Sequence, residues 1–238
     1  FIASQVSKQL VNQGDHVLGL DNLNDYYDAR LKIWRLKQLK AHTNAQNFTF
    51  VELDIEDQTK LSDLFQSKGP FDAILNLAAR AGVRYSMENP HIYFSTNVEG
   101  TLNLLECMQT QGCNKLVLAS TSSVYAGQKM PFTEDMAVNE PLSPYAASKK
   151  AAELMAYSYH NLYQIDVSVL RYFTVFGPAG RPDMSPYRFI KWIAEEENIQ
   201  MFGDGSQSRD FTFVDDIAWG TIAAIQHVGY EIINLGGG

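Results

Sequence analysis

Lys115-Leu-Val-Leu-Ala-Ser-Thr-Ser-Ser123 is a short apolar run that ends in a cluster of hydroxyl side chains. A run of this length, bounded by polar residues, is typical of a strand that is buried on both faces. We predict a strand over residues 115–120. Five further apolar runs are predicted to be strands on the same grounds: 16–21, 48–53, 73–77, 167–171 and 231–235.

Longer segments between these runs carry apolar residues at helical spacing. We predict helices over residues 1–13, 28–40, 58–66, 97–111, 144–163 and 214–227. Strands that alternate with helices form βαβ units, which build a parallel sheet covered by helices on both faces. The sequence therefore predicts an α/β fold with a Rossmann-type, doubly wound parallel sheet.

The regular alternation ends near residue 176, where Gly and Pro become frequent. We predict a sheet domain over residues 1–175 and a smaller C-terminal substrate lobe over 176–238, interleaved with the last sheet elements. Both ends are expected to be cut. A helix starts at Phe1 with no strand before it, and Gly236-Gly-Gly238 follows a strand directly. The first strand and its glycine loop are thus expected to be missing from the sequence.

Composition excludes several function classes. The formal net charge is −8 and no long basic run occurs, which argues against a nucleic-acid partner. Cys107 and Cys113 have no metal-ligand spacing, so no metal is predicted, and two thiols in a chain of this size indicate a reducing compartment. No apolar stretch approaches about 20 residues, the length of a membrane span. We therefore predict a cytoplasmic protein with no membrane segment.

In parallel sheets of this type, ligands bind outside the carboxyl ends of the strands. Asp21 ends the first predicted strand, where an acid can accept hydrogen bonds from the ribose hydroxyls of a dinucleotide and repel a 2′-phosphate. This favours NAD over NADP, although the same Asp could simply cap the following loop. Asp54-Ile55 could meet the adenine, or Asp54 could be a helix N-cap. Ala3 is small enough for the last position of a glycine fingerprint.

Tyr145 and Lys149 are one helical turn apart, so their side chains share a helix face. A neighbouring ammonium lowers the pKa of a phenol, which would let Tyr145 act as a general base. Two other Tyr–Lys pairs have this spacing, at Tyr125 and Tyr187. The Tyr125 pair contains Gly127 and lies in a loop, and no strand that ends in hydroxyl residues comes before Tyr187. Tyr145 is on a predicted helix that follows such a strand. The alternative is an ordinary interfacial tyrosine.

Several motifs together resemble the extended short-chain dehydrogenase/reductase family. They are Asp21-Asn-Leu-Asn-Asp-Tyr-Tyr-Asp28, Asn76-Leu-Ala-Ala-Arg-Ala-Gly-Val-Arg-Tyr-Ser86, Ala119-Ser-Thr-Ser-Ser-Val-Tyr125, Tyr145-Ala-Ala-Ser-Lys149, Arg171-Tyr-Phe-Thr-Val-Phe-Gly-Pro178, Gly180-Arg-Pro-Asp-Met184 and Phe202-Gly-Asp-Gly-Ser-Gln-Ser-Arg-Asp-Phe-Thr-Phe-Val-Asp-Asp216. The resemblance runs along the whole chain. Within the family, the first and sixth motifs look most like UDP-glucuronate 4-epimerases.

The resemblance implies NAD as cofactor, a UDP-sugar as substrate and epimerisation through a transient 4-keto sugar. It implies that Tyr145 is the base, that Lys149 binds the nicotinamide ribose and that Thr121 binds the 4-oxygen. The implied cofactor-binding residues are Ala3, Asp21, Asn22, Asp54, Ile55, Leu77, Ala78, Ala79, Arg80, Asn97, Tyr145, Lys149 and Tyr172. The implied substrate-binding residues are Arg84, Thr121, Ser122, Ser123, Thr174, Arg181 and Arg209, with the two last at the UDP diphosphate.

Related enzymes give the alternatives. A 4,6-dehydratase would need acidic residues where this chain has Ser122 and Ser123, and the related decarboxylases commonly carry a Glu there. Galactose-type epimerases tend to have Asn in place of Thr174. A non-catalytic NAD-binding module is the alternative from another class, although Tyr145 and Lys149 are both present. In relatives, the helices predicted here at 97–111 and 144–163 pair across a dimer interface, so a homodimer is expected.

Overall fold

The computed structural model describes residues 1–42, 44–200, 203–205 and 207–237. The helices are α1 (Ile2–Gln13), α2 (Ala29–Lys40), α3 (Gln58–Lys68), α4 (Val83–Glu88), α5 (Pro90–Phe94), α6 (Gly100–Gln111), α7 (Pro144–Tyr163), α8 (Ser185–Ala194) and α9 (Val214–Ala223). The strands are β1 (Val17–Asp21), β2 (Phe48–Glu52), β3 (Ile74–Asn76), β4 (Lys115–Thr121), β5 (Asp166–Tyr172), β6 (Thr174–Phe176), β7 (Phe211–Phe213) and β8 (Tyr230–Leu235). Phe202 and Ser206 of the last motif, and Gly238, lie outside the described residues.

The described strands form three groups in which every pairing is parallel. Four strands lie in the order β3-β4-β5-β8, while β1 pairs with β2 and β6 pairs with β7. The β1–β2 pair and β3 face each other across a cavity of about 790 Å³. Residues at the carboxyl ends of β1 to β5 line one cleft, which is where parallel sheets of this type bind ligands.

Both faces of the four-stranded sheet are covered, because successive side chains of a strand point to opposite sides. Leu116 and Leu118 of β4 pack in one core with α3, α6 and α7. Val117 and Ala119 pack in a second core that includes Ile217 of α9. The predicted α/β fold with a doubly wound parallel sheet is confirmed.

Helix α7 has the predicted bounds, and its first turn shows why. The Ser143 hydroxyl accepts a hydrogen bond from the Ala146 backbone N–H at 3.1 Å, which caps the helix. Pro144 occupies the first helical position, where its missing N–H costs nothing. The helix therefore starts directly before Tyr145.

Two predicted helices differ from the observed bounds by three or four residues, and the others by two or fewer. The helix predicted over 97–111 begins at Gly100 as α6, because residues Ser95–Glu99 form a π-helical turn. The helix predicted over 214–227 ends at Ala223, and the following turn is held by Asp166, which accepts hydrogen bonds from the N–H groups of Val228 and Gly229. Among the described helices, none has the length and apolar character needed to cross a membrane.

Candidate active site

A cleft of about 420 Å³ lies at the carboxyl ends of the strands, where the sequence places the chemistry. Seventeen of the predicted site residues line it. They are Ala3, Asp21, Asn22, Asp54, Ile55, Leu77, Ala78, Ala79, Arg80, Thr121, Ser122, Ser123, Tyr145, Lys149, Tyr172, Thr174 and Arg181. Residues separated by more than 170 positions in the chain are thus brought to one surface.

The hydroxyl cluster is fixed at the end of β4. Thr121 is the last residue of the strand and caps a short 3₁₀ turn, Ser122–Tyr125, by accepting a hydrogen bond from the Ser123 N–H at 3.1 Å. Thr121 is also hydrogen-bonded to the Tyr145 phenol. The strand end and the first turn of α7 therefore present their hydroxyl groups side by side.

The acid–base character of Tyr145 differs from the sequence prediction. Burial raises the pKa of the phenol, while the Thr121 hydrogen bond and the positive charge of Arg181 act in the opposite direction. The predicted lowering of this pKa by Lys149 is not observed. Instead, Lys149 Nζ donates to the Ala119 carbonyl at 2.9 Å. Spacing correctly placed both residues on one helix face, but it could not show which groups surround them.

Lys149 is 4% exposed. Burial lowers the pKa of its ammonium to about 8, and the charge of Glu153 opposes that effect. A buried lysine with a pKa this close to neutral is more typical of functional sites than of surfaces. The lysine is therefore held as a poorly solvated cation at the wall of the cleft.

Asn97 does not line the cleft, although the resemblance places it at the cofactor. Its Oδ1 accepts from the Arg80 N–H at 2.8 Å, and its Nδ2 donates to the Arg80 carbonyl and to Ser148 Oγ, both at 2.9 Å. Ser148 Oγ in turn donates to the Tyr145 carbonyl at 2.8 Å. Asn97 thus joins the loop after β3 to the first turn of α7.

Asp21 and Asp54 are at the other end of the cleft. Asp21 Oδ1 accepts from the Leu23 N–H at 2.7 Å and lies 3.5 Å from Lys32 Nζ, so the predicted loop cap is present. Asp54 accepts from the Asn22 side chain at 2.6 Å and from the Glu56 N–H at 3.0 Å. Its predicted alternative as helix N-cap is wrong, because the cap of α3 is Asp57.

Arg181 reaches the cleft from the segment after β6. Its guanidinium binds Asp183 through Nε at 3.1 Å and Nη2 at 2.5 Å, and it lies 5.9 Å from the centre of the Tyr26 ring. Tyr26 also donates to Asp183 at 3.3 Å. These contacts connect the Asn-Asp-Tyr-Tyr-Asp and Gly-Arg-Pro-Asp-Met motifs across the opening of the cleft.

Two predicted arginines are not brought into the cleft. Arg84 lies on α4 and is exposed, and its neighbour Val83 lines the cleft in its place. Arg209 is exposed and donates to the Ser208 carbonyl at 2.7 Å. Both were placed by resemblance, and a motif fixes the order of residues but not the direction of an exposed side chain.

Sequence reasoning missed Tyr26, Gly82 and Lys32, which also line the cleft. Gly82 has a φ of +115°, and a Cβ there would come within 2.9 Å of Tyr26 Oη. Tyr93, buried behind this loop, donates to the Gly82 carbonyl at 2.9 Å and meets the Tyr145 ring edge-on. In the sequence, the signal for this close approach was Gly82 itself, which lies among polar residues in the motif 76–86.

The described cleft residues fit a nucleotide cofactor with a negatively charged diphosphate. The lining cations are Lys32, Arg80, Lys149 and Arg181, against the anions Asp21 and Asp54. Arg80 Nε is buried, and within the described residues no hydrogen-bond acceptor reaches it. A buried donor without a partner is costly, and a phosphate oxygen would satisfy it. The acidic side chains stand only at the end where ribose hydroxyls would need acceptors.

Comparison with known proteins gives a family and several relatives. The model of the NAD dependent epimerase/dehydratase family matches residues 1–236. A UDP-glucuronate 4-epimerase from Thermodesulfobacterium geofontis is 59% identical over 238 residues, which are 100% of this chain and 72% of the relative. Protein CapI from Staphylococcus aureus is 45% identical over 91% of this chain, which spans 64% of that relative.

The fold is also found in solved structures. UDP-glucuronic acid 4-epimerase from Bacillus cereus, in complex with UDP-glucuronic acid and NAD, superposes with a TM-score of 0.91 at 37% identity. The match covers 100% of this chain and 75% of that one. The resemblance inferred from the motifs is confirmed.

Proposed function

The chain belongs to the NAD-dependent epimerase/dehydratase family, and on that premise we propose that it inverts C4 of UDP-glucuronate to give UDP-galacturonate. One observation carries the choice of substrate. The hydroxyl side chains of Thr121, Ser122, Ser123 and Thr174 line the cleft beside Tyr145, and the only carboxylates among the described lining residues are Asp21 and Asp54. Neutral donors suit a sugar carboxylate, which a nearby acid would repel.

NAD would be held along the first three strands. Asp21 would accept hydrogen bonds from the adenosine ribose, and Arg80 would face the cofactor phosphates. Lys149 would bind the nicotinamide ribose, as the resemblance implies. Bound NAD supplies reversible oxidation at C4 of the sugar. The side chains of the protein would bind and orient the substrate and transfer the proton.

Tyr145 would accept the proton of the 4-hydroxyl and return it after the sugar has turned over. The Thr121 hydroxyl, already hydrogen-bonded to the phenol, would hold the 4-oxygen within reach. Because burial raises the Tyr145 pKa, the Thr121 hydrogen bond and the charge of Arg181 matter for stabilising the phenolate. Arg181 would bind the UDP diphosphate, since a planar guanidinium makes paired contacts with phosphate oxygens. Arg84 and Arg209 remain predictions from the resemblance.

The composition of the cleft favours epimerisation over dehydration. Removal of water from a sugar needs a group that donates a proton to the leaving hydroxyl, and a carboxyl pair commonly does this. Ser122 and Ser123 stand where a dehydratase would carry acids. An unsubstituted hexose is the second candidate substrate, and Thr174 argues against it because it can donate to a carboxylate.

A direct assay tests this proposal. The protein is incubated with UDP-glucuronate and NAD, and the products are separated by anion exchange. We expect UDP-galacturonate to form without accumulation of NADH or carbon dioxide. Conversion of UDP-glucose but not UDP-glucuronate would leave the mechanism standing and overturn the role given to the hydroxyl cluster. A dehydrated 4-keto product would instead identify a dehydratase.

We also propose a homodimer through helices 97–111 and 144–163. Within the described residues, α6 and α7 expose Leu102, Leu154, Tyr157 and Leu162, and the last is 69% exposed. Exposed apolar clusters of this kind are typical of protein contacts. Light scattering at micromolar concentration should give twice the monomer mass, and a monomer would contradict the proposal. Leu154→Glu should dissociate the dimer, while Leu142→Glu, outside both helices, should not.

A cytoplasmic location remains a prediction from the cysteine content. Cys107 and Cys113 are both buried free thiols in the structure. Thiols of this kind persist without special protection in a reducing compartment. Fractionation of cells that express the tagged protein would test the prediction, and recovery with the membrane or extracellular fraction would contradict it.

A further inference from the structure

Glu153 is a fully buried carboxylate that the proposed reaction does not use. It lies on α7, one helical turn after Lys149. Its Oε1 accepts from Ser120 Oγ at 2.6 Å and from Arg171 Nε at 3.0 Å. Its Oε2 accepts from Arg171 Nη2 at 2.9 Å and from Lys150 Nζ at 3.1 Å. Four donors therefore hold this carboxylate in one orientation.

Arg171 extends the network to Tyr125 and to strand β8. Its Nη1 donates to Tyr125 Oη at 2.7 Å, and that hydroxyl donates to Asn234 Oδ1 of β8 at 2.9 Å. Burial favours the neutral form of Glu153, but the bonds and charge of Arg171 outweigh it, so the Glu153 pKa lies below its ordinary value. The pair is thus fully ionised in the interior.

Apart from β8, each element that this network joins carries a residue of the candidate site. Ser120 precedes Thr121 on β4, and Tyr125 ends the turn that holds Ser122 and Ser123. Glu153 itself shares α7 with Tyr145 and Lys149. Ser120 lines the cleft, whereas Glu153, Arg171 and Tyr125 do not and lie beneath it. It can act on the reaction only through its neighbours.

We propose that Glu153 is a positioning residue for the proposed epimerisation: it fixes β4, through Ser120, and β5, through Arg171, against α7, and it places a carboxylate one helical turn from Lys149. This inference rests on the proposed function for its effect on turnover. The part of the inference that concerns the effect of Glu153 on Lys149 does not depend on that function.

The charges around Lys149 support this role. On its own helix Lys149 has Tyr145 one turn before it and Glu153 one turn after it, and Tyr172 of β5 lines the same cleft. Glu153 is the group that raises the Lys149 pKa against burial, which otherwise brings it to about 8. Without that carboxylate, the ammonium would lose its proton at a lower pH. The alkaline limit of the reaction would move down with it.

The test compares Glu153→Gln with Asp166→Asn. Asp166 is also a buried carboxylate in an ion pair. It lies at the amino end of β5, whereas Glu153 contacts the carboxyl ends of β4 and β5, and it does not line the cleft. Lysine Cε is labelled with ¹³C, and the Lys149 signal is assigned by its loss in Lys149→Met. We expect Glu153→Gln to lower the Lys149 titration midpoint by about one pH unit. Asp166→Asn should leave that midpoint unchanged.

Turnover gives the second readout. In Glu153→Gln, kcat at pH 8 should fall about fivefold, with the alkaline limb shifted to lower pH and KM little changed. Glu153→Asp keeps the charge and should restore the midpoint in part. If Glu153→Gln does not fold, Glu153→Gln combined with Arg171→Gln removes both charges and should show the same shift in the Lys149 midpoint.

An unchanged Lys149 midpoint in the folded variant would overturn the inference, as would an equal shift in Asp166→Asn. If the parent protein converts no UDP-glucuronate, the proposed function fails. The NMR titration still decides the relation between Glu153 and Lys149 in that case. The two failures are therefore distinguishable.

Discussion

Two buried ion pairs stand at opposite ends of the same two strands. Lys115 and Asp166 begin β4 and β5, where their Nζ and Oδ1 are 2.6 Å apart. At the other end Arg171 Nη2 lies 2.9 Å from Glu153 Oε2, with Ser120 opposite Arg171 in the register. The two pairs differ little in burial or distance. They differ in what their remaining hydrogen bonds hold.

The pair at the amino ends is bonded mainly to backbone. Lys115 Nζ donates to the Gln226 carbonyl at 2.8 Å, and Asp166 accepts from the Val228 and Gly229 N–H groups. It therefore closes the turn between α9 and β8. The Glu153–Arg171 pair is bonded to side chains from elements that carry the candidate site. The same kind of interaction thus stabilises the fold at one end and positions reacting groups at the other.

The largest expected effect is at the carboxyl end. Tyr145→Phe removes the proposed base and should lower kcat about a thousandfold, because acid–base groups contribute on this scale. Steady-state conversion of UDP-glucuronate is the measurement. Tyr163→Phe, which removes an exposed hydroxyl from the same helix, should leave kcat unchanged. Loss of turnover in both variants would place the effect in the helix rather than in the Tyr145 hydroxyl.

Breaking the pair at the amino ends should affect stability and not chemistry. Lys115→Met leaves Asp166 buried without its ammonium partner, which should lower the free energy of unfolding by about 3–5 kcal/mol. Urea denaturation at pH 7 measures this. Lys60→Met removes an exposed ion pair with Asp57 and should leave the free energy of unfolding nearly unchanged. A Lys115→Met variant that is stable but inactive would contradict the division between the two ends.

A smaller perturbation sharpens the comparison at the carboxyl end. Tyr125→Phe removes the hydroxyl between Arg171 and Asn234, leaving one guanidinium N–H without its acceptor. We expect a loss of about 1–3 kcal/mol in the free energy of unfolding. Because Tyr125 ends the Ser122–Tyr125 turn, KM for UDP-glucuronate should also rise. An unchanged KM would show that the turn keeps its place without this bond.

The smallest effect concerns acid. Burial alone would raise the pKa of Asp166. Its hydrogen bonds to Lys115 and to the Gly229 N–H have a larger effect in the opposite direction, so the net shift is downward. A carboxyl with a depressed folded pKa stabilises the protein above its unfolded pKa of about 3.9 and loses that contribution as pH falls through the folded value. The stability difference between the parent and Asp166→Asn should therefore shrink below about pH 4 in urea titrations. A difference independent of pH would contradict this.

The sequence predicted the elements with long apolar patterns well. Strand β4 was predicted from a run of mainly apolar residues, and helix α7 from apolar residues at helical spacing. In addition, Ser143 and Pro144 mark the start of α7. Strands β6 and β7 are three residues long and border Gly-Pro or charged residues, so no apolar run marks them as it marks the equally short β3. The π-helical turn at Ser95–Glu99 also has no sequence period of its own, so the start of α6 was misplaced.

Site residues followed the same division. Those directly after a strand, such as Asp21 and Thr121, reach the cleft because the backbone fixes their direction. Arg84 and Arg209 are long side chains on exposed segments, and their direction depends on neighbours that a motif does not describe. The surroundings of Lys149 were misjudged for a related reason. Burial in the packed protein raises the pKa of Tyr145 and lowers the pKa of Lys149. For each group, this effect outweighs that of a residue four positions away on the same helix.

The alternation of side chains along β4 has a further consequence. Lys115 and Ser120 are five positions apart, an odd number, so they lie on opposite faces of the sheet. Inserting or deleting one residue between them would turn one of the two networks to the wrong side, and a register shift by two would separate Lys115 from Asp166 and Ser120 from Arg171. The strand therefore tolerates substitution far better than a change of length, and misaligned folding intermediates are penalised at two separate points.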